Sequence, residues 1–182
     1  MNRVDRLIKQ YKRFAELPWD QGLAGPQRVW FIVYDKADER RIRARLEVFK
    51  QATEAAHHAW LCHDLTDAFG TWMARQEYRE SYFKDPSVID LLLPEFEAVV
   101  VGQIEAVLTS PGATENTVVA VLGTACLYGF ARVSSVVKAV VQDIRGRLLV
   151  FFPGVHEGNN YRLLDARDGW NYMAIALTAE EE

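Results

Sequence analysis

The chain has 182 residues, 49% of them hydrophobic and 25% charged, with a formal net charge of −4 at pH 7. That length supports a core without disulfide or metal staples, and that composition excludes a disordered or low-complexity protein. The acidic balance argues against a surface that lives by wrapping a phosphate backbone.

The charge is uneven. Residues 1–60 hold 12 Lys/Arg against 8 Asp/Glu, and residues 61–182 hold 9 against 17. An electrostatically polarised surface of this kind suits a protein partner. No apolar run approaches the ~20 residues of a bilayer span. The longest are interrupted by Gln103 and Glu105, or by Lys138 and Gln142. Met1 to Arg13 is charged and lacks the apolar core of a secretory signal. Cys62 and Cys126 stand in apolar sequence and read as free thiols of a reducing compartment. The expectation is a soluble, cytoplasmic protein with no membrane contact.

An N-terminal helix is expected over 3–16, where Val4, Leu7, Ile8, Tyr11 and Phe14 repeat at helical spacing. Leu17-Pro18 ends it, because the residue before proline is pushed out of helical geometry. Arg28 to Tyr34 is a continuous β-branched and aromatic run, as expected of a strand buried on both faces. Asp35 is placed to cap the helix that follows, spanning 36–57, with Ile42, Leu46, Phe49, Thr53 and Ala56 on one face. Arg40, Arg41 and Arg45 fall off that face and form a candidate basic surface, while Glu39 and Arg43 make an i,i+4 pair.

Ala59 to His63 reads as a second strand and Asp64 to Arg75 as a short helix. Pro86 and Pro94 sit where helices start. Phe96, Val99, Val100, Ile104, Val107 and Leu108 form a core-facing stripe. Thr117 to Leu122 is a third strand. Val133 to Ile144 is a further amphipathic helix, stopped at Gly146. Arg147 to Phe152 is a fourth strand and Tyr172 to Leu177 a fifth, before a frayed acidic tail at 179–182. Strands alternate with helices, and four of the five strands read as buried on both faces. The pattern predicts a single α/β domain over 1–182, with a mostly parallel sheet of about five strands flanked by helices.

This architecture invites phosphate binding, which needs a glycine-rich turn with a lysine after the first strand. Here that strand runs into Asp35-Lys-Ala-Asp38, and no Gly-Lys pair occurs. The turn Gly123 to Gly129 lacks the lysine too. His57, His58 and His63 lie near Cys62 and Asp64, but neighbouring residues on a helix or strand diverge rather than converge. No Gly-x-Ser-x-Gly turn supplies a nucleophile. No catalytic, cofactor or metal residues are assigned.

The stretch after the fourth strand is the most crowded with polar and aromatic groups. Asn159, Asn160, Tyr161, Arg162, Arg167, Trp170 and Tyr172 form a candidate partner interface, with Asp165 and Asp168 placed to pair with the arginines. A loop clasped onto the fold by Arg–Asp bridges uses the same residue types. Both readings stay open.

Several segments together carry a resemblance. Arg28 to Lys36, Asp64 to Phe69, Gly129 to Ser134, Arg145 to Gly154 and Asn159 to Tyr172 resemble the BrxB family, over nearly the whole chain from about Val4 to Thr178. BrxB is a small core component of BREX, a bacterial bacteriophage-exclusion defence system. The resemblance brings no catalytic residues. It implies a non-enzymatic adaptor in an assembly with a AAA-type ATPase (BrxC), an alkaline-phosphatase-like protein (PglZ) and a DNA methyltransferase (PglX). The expected fold is then a P-loop-ATPase-like core lacking its nucleotide-binding motif. The alternatives are a nucleotide-sensing or metal-dependent enzyme at the strand carboxyl ends near Asp35, Gly123 and Asn159, or a DNA-binding subunit using helix 36–57. DNA contact is expected to be at most weak.

Overall fold

Alternating parity along three strands builds two cores, one on each side of a central sheet. A computed structural model of the chain describes residues 2–166 and 169–179. Strand β1 (Val29–Tyr34) is fully buried, as is β3 (Thr117–Leu122), and β4 (Arg147–Glu157) is buried through its first seven residues. Successive strand residues face opposite ways. Phe31, Val33, Val119, Val121, Val150 and Phe152 therefore enter one core, and Trp30, Ile32, Val118, Ala120, Leu149 and Phe151 the other. Three strands, rather than the expected four, are buried on both faces. β2 (Ala59–Asp64) is an edge strand, and Ala59, Cys62 and Asp64 lie exposed on it.

The second core is closed by α1 (Arg3–Ala15), α2 (Glu39–Ala44) and α3 (Leu46–Ala55). Asn2 caps α1 by accepting from the Asp5 amide at 2.9 Å. Tyr11 and Thr53, both fully buried, share a hydroxyl hydrogen bond of 2.6 Å that ties α1 to α3. The expected single helix over 36–57 is instead a 3-10 turn (Lys36–Asp38), α2 and α3. Arg45 breaks it by leaving helical geometry (φ −108°, ψ 8°), and its amide bonds the Arg41 and Ile42 carbonyls. The first core is closed by α4 (Ala68–Ala74), α6 (Leu93–Leu108) and α7 (Val133–Val140), with α5 (Arg79–Lys84) on the outside.

The sheet path is β2-β3-β4-β1-β7, where β7 is Ile175–Leu177, and each pairing along it is parallel. Two further strands extend it: β5 (Asn160–Leu163) pairs antiparallel to β4, and β6 (Trp170–Asn171) pairs antiparallel to β5. The sheet is therefore mixed rather than mostly parallel. β1 stops at Tyr34, opposite Pro153, because Asp35 turns the chain by accepting from the Ala37 amide. β4 runs four residues further and has no parallel neighbour there. Gly158 (φ +60°) and Asn159 then fold the chain back as a two-residue hairpin. The last strand is correspondingly shorter than the expected 172–177. All five strands of the parallel path end on one edge, where Asp35, Asp64, Gly123, Gly154 and Thr178 emerge.

Among the described residues, no helix is long and apolar enough to cross a membrane. Cys62 and Cys126 are both free thiols.

Candidate functional site

The carboxyl edge of the sheet is where open α/β folds place ligands, and over its β2 and β3 end an ion-paired knot occupies it. Arg43, on α2, donates through Nε to Glu39 at 2.8 Å and through Nη1 to Asp64 at 2.6 Å. Its Nη2 reaches the Thr66 hydroxyl at 2.6 Å. The Thr66 amide and hydroxyl both donate to Asp64, at 3.0 and 2.6 Å. Tyr34 completes the knot by donating to Glu39 at 2.6 Å. The bonds from Arg43, ahead of those from Thr66, hold Asp64 down at about 2. Burial and the Glu39 carboxylate hold the Tyr34 phenol far above its ordinary range.

Gly123 is part of this construction. Its φ is +76°, and a Cβ there would come within 2.6 Å of the Thr66 amide nitrogen and 2.7 Å of Asp64 Oδ1. Only glycine allows β3 to turn away so close to the Asp64–Thr66 loop. The glycine that reads in sequence as a possible phosphate turn is thus a packing glycine. Next to it, Thr124 is buried and donates to the Phe151 carbonyl at 2.7 Å.

The three histidines do not converge. His57 takes the left-handed conformation (φ +64°) after α3, His58 stacks on Trp19 with ring centroids 3.7 Å apart, and His63 bonds Gln103 at 3.1 Å. Among the described residues, no group of three or more His, Cys, Asp or Glu is placed to hold a metal ion.

The stretch from Asn159 to Tyr172 folds inward. Tyr161 is wholly buried, donates to the Ala174 carbonyl at 3.0 Å and packs 4.7 Å from Phe31. Trp170 is half-buried, with ring centroids 5.4 Å from both Phe152 and Tyr161, and Tyr172 is buried in the same core. Asn159 and Asn160 are exposed at the hairpin tip. Arg162 is half-exposed and meets Glu157 at 3.7 Å rather than an aspartate of the loop. Asp165 pairs with Lys36, which joins the loop to the turn after β1. Arg167 and Asp168 lie outside the described residues. Among the described members of the candidate interface, the aromatic residues pack inward and the asparagines and Arg162 face outward.

The candidate basic surface is largely matched within the chain. Arg41 pairs with Asp38 at 3.1 Å and Arg45 with Asp5 at 3.2 Å, while Arg40 is exposed.

Two features of the surface are absent from the sequence reading. From Ala74 to Glu95, 22 consecutive residues, no side chain is fully buried. Tyr82, Ile89 and Leu92 lean on the core, but Tyr78, Phe83 and Leu91 are 62%, 61% and 82% exposed. This apolar segment leads into a groove of about 500 Å³ lined by Leu93, Pro94, Phe130 and Ala131, with Asp90, Glu97 and Arg132 supplying charge. The available signal was the density of aromatic and aliphatic residues at 78–92 without a helical stripe. The second feature is a cleft of about 450 Å³ where β1 and β4 end, bordered by Arg3, Arg6, Asp35, Asp38 and His156.

No family model matches this chain, and neither a curated protein nor a solved structure matches it.

Proposed function

We propose that this chain is a non-enzymatic adaptor that joins other subunits of a phage-defence assembly of the BREX type through protein contacts. The observation that carries the reading is the exposed apolar segment 78–91. Contiguous apolar surface that a fold does not bury is the ordinary mark of a protein-binding face, and the adjoining groove offers concave space for an anchoring side chain. The type of assembly comes from the resemblance to BrxB, which directs the test to its ATPase-, phosphatase-like and methyltransferase-like subunits.

The proposal includes a core built on the plan of a P-loop ATPase without its nucleotide machinery. Two features speak for this. β1 lies inside the sheet between β4 and β7. In addition, a 3-10 turn bearing Asp35 and Asp38 stands where a glycine cradle would be needed. The carboxylates of the edge are engaged with Arg43, Arg41 and backbone amides, so the reading assigns them to structure rather than catalysis. The paired arginines of α2 are left out of it as well.

The test is co-expression with each neighbouring subunit singly, comparing the native chain with the Phe83→Asp/Leu91→Asp double variant. Both positions are exposed, so the variant should melt within a few degrees of the native chain. The expected result is loss of co-purification with one subunit. A variant that still co-purifies with every subunit its parent binds would sink the proposal.

A further inference from the structure

The cleft at the ends of β1 and β4 has an imbalance of hydrogen-bonding groups. It lies at the point where the chain changes sides. β1 continues into α2 and α3 on the face that carries α1, whereas β4 continues into β5 and β6 on the opposite face. Such switch points open a crevice beyond the strand ends, the usual ligand position in open α/β sheets. A volume of about 450 Å³ is within the range that holds a small molecule.

The two carboxylates bordering this cleft are each engaged through one oxygen. Asp35 Oδ1 accepts from the Ala37 amide at 2.8 Å, and Asp35 Oδ2 stands 3.8 Å from Arg3. Asp38 is nearly buried and takes the Arg41 guanidinium at 3.1 Å. The Tyr34 hydroxyl donates its proton to Glu39 and so adds no donor to the cleft. The donors are not used to the same degree. Arg6 is half-buried and spends only Nε, on the Ala179 carbonyl at 3.1 Å; its two Nη groups have no partner among the described residues. Arg3 has one long contact, to Asp35, for its five N–H groups. Burial lowers the His156 pKa and so favours the neutral ring, which offers a single N–H.

A pocket whose two guanidinium groups hold more N–H donors than its carboxylates have open oxygens is completed by a ligand that brings acceptors. We infer that this cleft binds a small organic molecule through a phosphate or carboxylate group held by Arg6 and Arg3. Guanidinium groups suit that task because their planar fork meets two oxygens at once. The inference stands on the cleft alone and is independent of the adaptor reading.

The experiment is isothermal titration of the full chain with pyrophosphate, with succinate and with citrate, each against sodium chloride at matched ionic strength. Submillimolar binding of pyrophosphate only would identify a phosphate ligand, and binding of the dicarboxylate or tricarboxylate only a carboxylate ligand. Arg6→Gln should weaken the binding at least tenfold, and the exposed Arg3→Gln by several-fold. Arg40→Gln removes the same charge elsewhere and should leave binding unchanged. Arg6→Gln is checked for folding by its melting curve, and Arg3→Gln carries the test if that variant is unstable. Three results would overturn the inference: no probe binds below 1 mM, all three arginine variants lose affinity equally, or binding emerges only when Glu180–Glu182 are deleted. The last would mean that the chain's own carboxylates are the occupant.

Discussion

Arg147 begins β4 and is 2% exposed, yet it has no carboxylate partner among the described residues. Its guanidinium donates to the Gly146 carbonyl at 3.0 Å and to the Asp20 carbonyl at 3.1 Å, and its Nε finds no acceptor. It lies 4.6 Å from the Trp19 ring centroid and 5.8 Å from that of Trp30. Burial lowers its pKa, with nearby Arg28 adding to the effect. The residue fastens the loop after α1 to the sheet, and the magnitude can be worked from its contacts. Each bond from a charged donor contributes about 1.5–3 kcal/mol, and a desolvated cation–π contact about 2. Against this stands a desolvation cost of several kcal/mol for an unpaired cation.

The charge terms therefore nearly cancel, and packing decides the outcome. Arg147→Ala removes the side chain packed beside two indoles and should cost about 3 kcal/mol, in the range of other large-to-small core changes. Arg147→Met keeps most of the volume and discards the charge, and should cost only about 1 kcal/mol, mainly from two carbonyls left short of donors. Equilibrium urea unfolding of the three proteins, with equal m-values, measures the difference. If Met is as damaging as Ala, the guanidinium itself holds the loop and the cancellation argued here is wrong.

The clasp makes a second contrast. Trp170→Ala empties a site among Phe31, Phe152 and Tyr161 and should cost about 3 kcal/mol, whereas Arg162→Ala loses only a half-exposed pair at 3.7 Å and should cost under about 1. Equal shifts in melting temperature would refute the inward reading of this stretch. The knot at the carboxyl edge predicts a pH effect with a definite sign. Asp64 is held near 2 against an ordinary 3.8, so its contribution is complete above about pH 4 and is lost as pH falls towards 2. The stability gap between the native chain and Asp64→Asn should close over that window, and a gap that stays constant from pH 5 to pH 2 would contradict the assignment.

Where the sequence carried a continuous β-branched run, it placed the strand well. Thr117–Leu122 is found as expected, and the observed Val29–Tyr34 and Ala59–Asp64 differ by one residue from the expected runs. Burial was harder to read, because an edge strand and an inner strand share the same residue types. β2 looks like β3 in sequence but carries its outer residues to solvent. The antiparallel extension was missed although its signal was present. Gly158-Asn159 between Val155-His-Glu and Asn160-Tyr-Arg-Leu is a two-residue hairpin pattern. The polar residues around it are equally common in functional loops, so composition there does not separate the two readings. The break at Arg45 has no comparable signal, since arginine is a good helix former.

Two aromatic-rich stretches of this chain show why residue type alone does not assign an interface. Tyr161, Trp170 and Tyr172 lie beyond a buried strand that outruns its neighbour, so the chain returns antiparallel and its alternate residues fall on the first core. Tyr78, Phe83 and Leu91 lie in short helical turns between α4 and α6, and those two helices already supply Trp72, Met73, Phe96 and Val100 to that core. Tyr82, Ile89 and Leu92 of the connecting segment still lean on that core, and Tyr78, Phe83 and Leu91 are left exposed beside them. Their exposure costs solubility and returns nothing to the stability of the isolated chain. On the adaptor reading proposed above, the surface that Tyr78, Phe83 and Leu91 meet is that of another subunit, and the Phe83→Asp/Leu91→Asp variant is the change that tests it.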